Sequence, residues 1–338
     1  MSGQMNAAEM NTSKVKSNVS RPIMAAIDVD GTLVEPGEIV LRENEEAIKR
    51  AVAGGIHVVI STGRPYEGIR AIIQRLGLTD PVVTLGGSKV MSASGEVYCS
   101  YPLPPEMVRA IYEYCAARGL SLRAHSDGEV HAYFRNRNHP DIRDSERIRG
   151  WMPIHVRIMG GAGIPADGMP LTDGMPVKEM PVRDVSKVTI MFEDESMGAR
   201  LRPEIESEFA SLHRANSSNT WLEFTGGGTS KLRGVKHVAR MLGVRRGDVM
   251  AIGDNENDLE MIKWAGMGVY VRTAPDDLKA FARLIPPPGV PAVAWGLSQL
   301  MARGVSRALE APGGVEDADG TAEDATAADS ADADSAAG

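Results

Sequence analysis

Two carboxylate residues, Asp28 and Asp30, stand directly after the apolar run 23–27, and the pair Gly31-Thr32 follows them. The run predicts a buried strand, and positions 28 and 30 of an extended chain point the same way. Two acids so close repel each other unless a divalent metal ion, a shared proton or a basic group offsets their charge. The alternative is an ordinary Asp/Gly turn after a strand. A calcium loop is a poor fit, because Leu33 occupies the sixth position, where that loop needs glycine.

Three further segments carry groups that bind phosphate or cations: Thr62-Gly63, Lys231, and Asp254 with Asp258. Asp254 and Asp258 stand four residues apart at the start of a helical pattern. Like charges on one helix face are unfavourable unless a cation lies between them. Taken singly, each acid is an ordinary solvated acid at a helix start, and Lys231 is an ordinary surface lysine. Their chemistry therefore depends on whether the fold brings them together.

Predicted elements of alternating type separate these residues. Apolar and β-branched runs predict strands, and segments with helical spacing lie between them. The predicted strands are 23–27, 56–60, 82–85, 249–252 and 268–271, and the predicted helices are 42–54, 66–76, 230–242, a short helix that follows residue 258 and ends at Trp264, 275–283 and 292–303. This order predicts an α/β fold with a doubly wound, parallel, Rossmann-like sheet. Ligands bind beyond the carboxyl ends of the strands in such sheets, so we expect Asp28, Thr62 and Asp254 to meet.

The alternation is interrupted between residues 88 and 221 by hairpin signals, short alternating strands and two further helices. The predicted elements are helices at 105–118 and 197–209 and strands at 121–125, 130–134 and 187–192. A simple crossover takes about 30 residues or fewer, so this stretch predicts an inserted α+β domain. The predicted division is a disordered tail at 1–20, a core domain at 21–87 and 222–308, the inserted domain at 88–221, and an acidic disordered tail at 309–338.

A loop is predicted at 159–180, where Gly, Pro and Met are frequent and no periodicity is present. Within it, residues 161–166 imitate a dinucleotide-binding fingerprint. Pro165 and Pro170 prevent the helix whose amino end would bind a pyrophosphate, so we reject that interpretation.

The composition argues against several classes of partner. The chain has 338 residues and a net charge of −8, but residues 310–338 hold nine acids and no Lys or Arg, which leaves 37 basic and 36 acidic residues elsewhere. The chain outside this acidic segment is nearly neutral, so it lacks the excess of basic residues that is typical of proteins that bind nucleic acid or anionic lipid. No apolar stretch is long enough for a membrane span, and two cysteines, Cys99 and Cys115, suggest a reducing cytoplasm. The oligomeric state stays open.

Together these residues resemble the four motifs of the haloacid-dehalogenase-like (HAD) hydrolases. The motifs, in order, are Asp28-Val29-Asp30-Gly31-Thr32, Thr62-Gly63-Arg64, Lys231, and Gly253-Asp254-Asn255-Glu256-Asn257-Asp258. The insertion falls between the second and third motifs, which is similar to the Cof-type subfamily with its α/β cap. The resemblance spans about residues 22–284. Two segments depart from the subfamily pattern: Gly86-Gly87-Ser88, where Asn-Gly-Ala is usual, and Thr273-Ala274, where Asn-Ala is usual.

The resemblance implies a magnesium-dependent phosphatase. It makes Asp28 the nucleophile that forms an aspartyl-phosphate and Asp30 the general acid and base. It also implies phosphate contacts from Thr62, Gly63 and Lys231, Mg²⁺ ligands from Asp28, Asp254 and the backbone of Asp30, and support from Asn257 and Asp258. A formal count of the four carboxylates against Mg²⁺ and Lys231 leaves a negative site, so we expect a raised pKa at Asp30.

The expected substrate is a small phosphorylated metabolite, such as a sugar phosphate or a cofactor phosphate. Arg64, Arg123, His125 and Tyr133 are candidate substrate contacts, although packing roles are the more common use of such residues. Three alternatives are a phosphomutase similar to phosphomannomutase, a haloacid dehalogenase, and a binding protein that keeps the site without turnover. The dehalogenase is disfavoured because those enzymes lack the second aspartate, here Asp30.

Overall fold

The computed structural model describes residues 23–309 except Pro36, Asp127, 136–137 and 159–179. The predicted tail at 1–20, nearly all of the tail at 309–338, and the loop at 159–180 with its rejected fingerprint lie outside the described residues, except for Met180 at the end of that loop. The strands, numbered along the chain, are β1 Ile23–Ile27, β2 Val34–Glu35, β3 Ile39–Val40, β4 Ile56–Ile60, β5 Val82–Thr84, β6 Lys89–Met91, β7 Val97–Ser100, β8 Ser121–Ser126, β9 Glu129–Phe134, β10 Ile154–Ile158, β11 Val185–Met191, β12 His213–Ser218, β13 Trp221–Thr225, β14 Val249–Gly253 and β15 Met267–Tyr270. The helices are α1 Arg42–Ala53, α2 Arg70–Leu76, α3 Pro105–Arg118, α4 Ile142–Arg149, α5 Glu195–Glu208, α6 Lys231–Met241, α7 Leu259–Trp264, α8 Asp276–Lys279 and α9 Ala292–Leu309.

A parallel sheet, which we call the core sheet, has the strand order β15-β14-β1-β4. Strand β5 extends it through a bridge between Ser61 and Val83. Alternate residues of β1 enter two separate apolar clusters, one with α1 and α9 and the other with α6 and α7. Both faces of the sheet are therefore buried, which explains why its strands are continuous apolar runs. The predicted doubly wound, parallel α/β core is confirmed.

A mixed sheet of six strands, which we call the cap sheet, has the order β10-β9-β8-β11-β13-β12. Helices α3 and α5 pack on one of its faces through an apolar cluster of their own. The other face turns towards the carboxyl ends of the core strands and presents Arg123, His125, Lys187 and Glu223. These polar residues alternate along β8, β11 and β13 with buried apolar residues such as Leu122, Val188 and Phe224, as expected for strands with two different faces.

The domain boundaries stay a prediction, but the packing favours one adjustment. Strands β6 and β7 pair with β5, and Val90 and Met91 lie in the apolar clusters of the core sheet. We therefore propose that the insertion begins after β7, near residue 101, and not at residue 88.

Most predicted elements agree with the structure to within one or two residues. Three predicted helices are wrong in length, because α2 begins at Arg70, α8 ends at Lys279 and α9 continues to Leu309. Helix α4 and strands β2, β3, β10, β12 and β13 were not predicted. Strand β12 lies in polar sequence that includes His213 and Arg214, so it shows no clear apolar period.

Among the helices that the structure describes, none is both long enough and apolar enough to cross a bilayer. Cys99 and Cys115 are both free thiols.

Gly234 of α6 lies against the core sheet so closely that a Cβ atom there would meet Val83 Cγ1 at 2.3 Å. We predict that Gly234→Ala lowers the free energy of unfolding by about 1–3 kcal/mol, because overpacking outweighs the better helix propensity of alanine. Urea unfolding measures the change. Gly247→Ala is the matched control, since a Cβ there would have no atom within 4 Å. Equal stability of the two variants would contradict the close packing of α6.

Candidate functional site

The carboxyl ends of β1, β4 and β14 bring Asp28, Thr62 and Asp254 to one edge of the core sheet. Gly31 makes this approach possible. It has a φ of 76°, and a Cβ atom there would lie 2.3 Å from Asp254 Oδ2. The glycine after the two aspartates is therefore required both for the turn and for the contact between the first and last motifs.

Lys231 lies at the centre of this edge, at the start of α6, and only 2% of its residue surface is exposed. Its Nζ donates to Asp28 Oδ1 and to Asp258 Oδ1, each at 2.7 Å, and to Asn257 Oδ1 at 3.4 Å. Burial alone would lower the pKa of Lys231, but the charges and hydrogen bonds of Asp258 and Asp28 raise it well above its ordinary value. The ammonium group is therefore fully charged at any physiological pH.

Asp258 is fully buried and orients its neighbours. Its Oδ1 accepts from Lys231, and its Oδ2 accepts from the backbone N–H groups of Asp254 and Asn255, at 3.1 and 3.2 Å. A Cβ atom on Gly253 would lie 2.3 Å from the side-chain carboxyl carbon of Asp258. These contacts fix the loop that carries Asp254, and they agree with the supporting role expected for Asp258.

The cluster holds three carboxyl groups, those of Asp28, Asp254 and Asp258, around the single ammonium group of Lys231, so its negative charge is not fully offset. Burial and the charge of Asp258 raise the pKa of Asp28 despite its bond to Lys231. Burial and Asp258 also raise the pKa of Asp254, to about 6. Carboxylate oxygens of Asp28, Asp254 and Asp258 lie within 4.8 Å of one another. Such a set of oxygen donors, short of positive charge, fits a hard divalent cation such as Mg²⁺.

Asp30 differs from our expectation, because the structure favours a lowered pKa. Burial opposes ionisation of Asp30, but the hydrogen bonds and charge of Arg64 outweigh it. Arg64 Nε and Nη2 donate to the two oxygens of Asp30 at 2.9 and 2.6 Å, and Arg64 also binds Glu38 through two hydrogen bonds. The formal charge count was wrong because it omitted Arg64. The raised pKa values lie at Asp28 and Asp254 instead.

A cavity of about 340 Å³ lies between this edge and the cap sheet. Asp28, Asp30, Gly63, Lys231 and Asp254 line its lower side. On the upper side, Lys187 Nζ donates to Gly63 O at 2.8 Å and to Glu223 Oε1 at 2.7 Å. One buried cation of the cap sheet thus contacts the backbone of the second motif directly.

The other predicted residues fall in three places. Arg64, Arg123, His125 and Asn257 line the cavity. Thr62 lies behind it, fully buried, with its Oγ1 accepting from the backbone N–H of Arg64 at 3.1 Å. Tyr133 packs in the cluster between the cap sheet and helices α3 and α5, so its proposal as a substrate contact is wrong. It occupies the face of β9 opposite to the cavity.

Five charged or aromatic residues that line the cavity were not predicted: Arg147, Trp151, Lys187, Trp221 and Glu223. Arg64 and Arg147 both lie 5.1 Å from the ring centroid of Trp151, and Arg123 lies 5.0 Å from that of Trp221. The alternation of Lys187 with apolar residues in a predicted strand was a signal for one of them. Trp151 and Trp221 gave no such signal, because Trp151 follows helix α4 and Trp221 begins strand β13, and neither element was predicted.

The sequence matches a known protein family. Residues 25–152 and 172–288 match the family model of haloacid dehalogenase-like hydrolases. The chain is 24% identical over 273 residues to the 5-amino-6-(5-phospho-D-ribitylamino)uracil phosphatase YitU of Bacillus subtilis, covering 78% of this chain and 91% of the relative. It is 24% identical over 258 residues to the HMP-PP phosphatase of Cronobacter sakazakii, covering 76% and 86%.

Solved structures share the fold. A haloacid dehalogenase-like hydrolase from Bacteroides thetaiotaomicron superposes with a TM-score of 0.66 at 24% identity, covering 83% of this chain and 100% of that one. The HAD subclass IIB sugar phosphatase BT4131 gives 0.64 at 20% identity, covering 85% and 98%. The family model includes most of the cap, in agreement with the Cof-type resemblance. On the match of its sequence across both core and cap, the chain belongs to the haloacid dehalogenase-like hydrolases.

Proposed function

We propose that this protein is a magnesium-dependent phosphatase that hydrolyses a small phosphorylated metabolite through an aspartyl-phosphate on Asp28. The observation that carries the proposal is the contact of Lys231 with Asp28 at 2.7 Å, at the floor of the cavity. A fixed ammonium beside a carboxylate orients that carboxylate and offsets the charge of an incoming phosphate. The names of the relatives, which are phosphatases of small phosphorylated compounds, support this reaction class.

The proposed reaction has two steps. A carboxylate oxygen of Asp28 attacks phosphorus, the bond from phosphorus to the leaving oxygen breaks, and that oxygen takes a proton from Asp30. Asp30 then removes a proton from water, whose oxygen attacks phosphorus and releases phosphate from Asp28. The ionised form of Asp30 favoured by Arg64 suits this second step. Proton donation in the first step requires the contact with Arg64 to loosen.

Asp28, Asp254 and the backbone carbonyl of Asp30 are the proposed magnesium ligands. When bound, Mg²⁺ offsets the negative charge shared by the nucleophile and the phosphate. Asp258 is a poor ligand, because both of its oxygens already accept hydrogen bonds. Lys231, the N–H of Gly63 and the hydroxyl of Thr62 are proposed phosphate contacts, the last after a rearrangement that brings it to the cavity.

The cap is proposed to exclude water and to recognise the leaving group. Arg123, His125 and Glu223 form its polar ceiling, each no more than 5% exposed. Burial, followed by the charges of Lys187 and Arg123, lowers the pKa of His125 well below its ordinary value. A neutral imidazole beside an arginine and a carboxylate suits a leaving group rich in hydroxyl or amide groups. A cytoplasmic location stays a prediction.

We predict that Asp28→Asn and Asp30→Asn lose phosphatase activity in different ways: only the loss in Asp30→Asn depends on the leaving group. Asp28→Asn loses at least about 10³-fold in kcat with every phosphomonoester, because the nucleophile is gone. In the first turnover, Asp30→Asn releases the alcohol of an alkyl phosphate about 10²–10⁴-fold more slowly than wild type, but it releases p-nitrophenol from p-nitrophenyl phosphate with a much smaller loss, because that leaving group needs no proton. Phosphate release in Mg²⁺ measures the first effect, and release of the leaving group in the first turnover measures the second.

Asp276→Asn is the control, because Asp276 is almost fully exposed on α8. Equal slowing of first-turnover leaving-group release from both esters in Asp30→Asn would remove Asp30 from the acid role. Transfer of the phosphoryl group to a second metabolite, without net release of phosphate, would favour the phosphomutase alternative. Full activity of Asp28→Asn would contradict the proposal altogether.

A second prediction concerns stability without metal. The folded-state pKa of Asp254, about 6, lies above its ordinary value, so its ionised form costs stability above pH 6 and the cost disappears below pH 4. In EDTA, Asp254→Asn is therefore more stable than wild type at pH 7.5 by about 1–3 kcal/mol, and equally stable near pH 4.

Urea unfolding at the two pH values measures this difference, with Asp276→Asn as the exposed control. Mg²⁺ stabilises the wild type at pH 7.5, and it stabilises Asp254→Asn less, because a cation bound only by the folded state shifts the equilibrium. If the wild type were more stable than Asp254→Asn in EDTA at pH 7.5, the negative charge of Asp254 would be offset without a bound cation, which would contradict the prediction.

A further inference from the structure

Three side chains with metal-ligand chemistry lie together on the cap, and none of them lines the cavity of the proposed function. They are Glu129 and His131 on β9 and His155 on β10. We propose that these three residues form a second metal site, selective for a borderline transition ion such as Zn²⁺ and separate from the acidic site.

The strand geometry places them on one face. Strands β9 and β10 are parallel, with His131 directly opposite His155. Glu129 precedes His131 by two residues on the same strand, so both side chains point to the same face. Val130, between them, packs with Ile148 and Met152 on the face towards the cavity. The three residues therefore lie on the opposite, outer face of the cap sheet.

The distances suit one shared ion. Glu129 Oε2 lies 3.2 Å from His155 Nε2 and 3.5 Å from His131 Nε2. Two ligand atoms, each about 2.1 Å from a tetrahedral ion, stand about 3.4 Å apart. The two imidazole rings stack at 4.7 Å between centroids with 17° between their planes. All three ligand atoms lie within 4.8 Å of one another, so small side-chain rotations complete the set.

The ligand types select the ion. Imidazole nitrogens with one carboxylate favour Zn²⁺, Ni²⁺ or Cu²⁺, whereas Mg²⁺ prefers the all-oxygen set around Asp28 and Asp254. Glu129 and His155 are about half exposed, which gives an ion access.

The position suggests what the ion does. Strand β10 is the edge of the cap sheet and pairs only with β9 in the described part of that sheet. A bound ion ties the two strands together through side chains as well as backbone. An ion that binds only the folded chain raises the free energy of unfolding, so the ion stabilises this edge.

The test uses the full chain, stripped with a chelator and held in excess Mg²⁺ so that the acidic site is filled. Calorimetric titration with Zn²⁺ is expected to give one ion per chain and a higher melting temperature. His155→Gln, at a half-exposed position, is expected to fold normally and to bind Zn²⁺ at least about tenfold more weakly. His131→Gln should do the same, and X-ray absorption of the wild-type complex should report two imidazole ligands.

His57→Gln is the matched control, because His57 Nδ1 makes a 2.7 Å contact with a carboxylate, Asp80, in the core domain. It should bind Zn²⁺ like wild type, as should Asp254→Asn. A wild type that takes up no Zn²⁺, or equal uptake by wild type and His155→Gln, overturns the proposal. Loss of Zn²⁺ only in Asp254→Asn also overturns it, by placing the ion in the acidic site. Phosphatase activity plays no part in these readouts.

Discussion

The buried ammonium of Lys231, held between Asp28 and Asp258, is the interaction on which the rest of the site depends. Lys231 has 2% of its surface exposed, and Asp258 has none. Charges so buried are tolerable only as a well-bonded set, and removal of one partner leaves the others uncompensated. This set joins the end of the first strand of the core sheet to α6, where Lys231 stands 203 residues after Asp28, and to the loop after β14. Folding of the core and assembly of the reactive edge are therefore the same event.

A second set of charges joins the core to the cap. Arg64 binds Asp30 and Glu38 and lies 5.1 Å from the ring centroid of Trp151, while Lys187 reaches from the cap sheet to Gly63 O. The second motif thus contacts the cap through both its arginine and its backbone. The cavity is therefore lined by groups from the edge of the core sheet and from the cap sheet. The same arrangement explains why Asp30 is not the carboxylate with a raised pKa.

The strands of the core could be predicted from the sequence alone, because the signals that mark them are local. Asp28, Ser61 and Gly253 each follow a run of four or five mostly apolar residues, and parallel packing then determines where the ends of those runs meet. Lys231 could be placed only through the family resemblance, since a lone lysine at a helix start carries no signal of burial. Arg64 was identified as a candidate, but its pairing with Asp30 and Glu38 depends on a turn at Glu38, whose φ is 63°. The cap was harder, because helix α4 and strand β12 have polar sequences that tertiary contacts stabilise. Trp151 and Trp221 follow those elements and could not be assigned to the cavity.

The central claim is that Asp28, oriented by Lys231, carries the phosphoryl group. The most direct measurement is rapid quenching of the enzyme during turnover of a phosphomonoester in Mg²⁺, followed by borohydride reduction and peptide mass spectrometry. Our account predicts that reduction modifies the side chain of Asp28 alone, and that Lys231→Met greatly diminishes the modified fraction. Modification at Asp30 or Asp254, or steady turnover with no modified carboxylate, would contradict it.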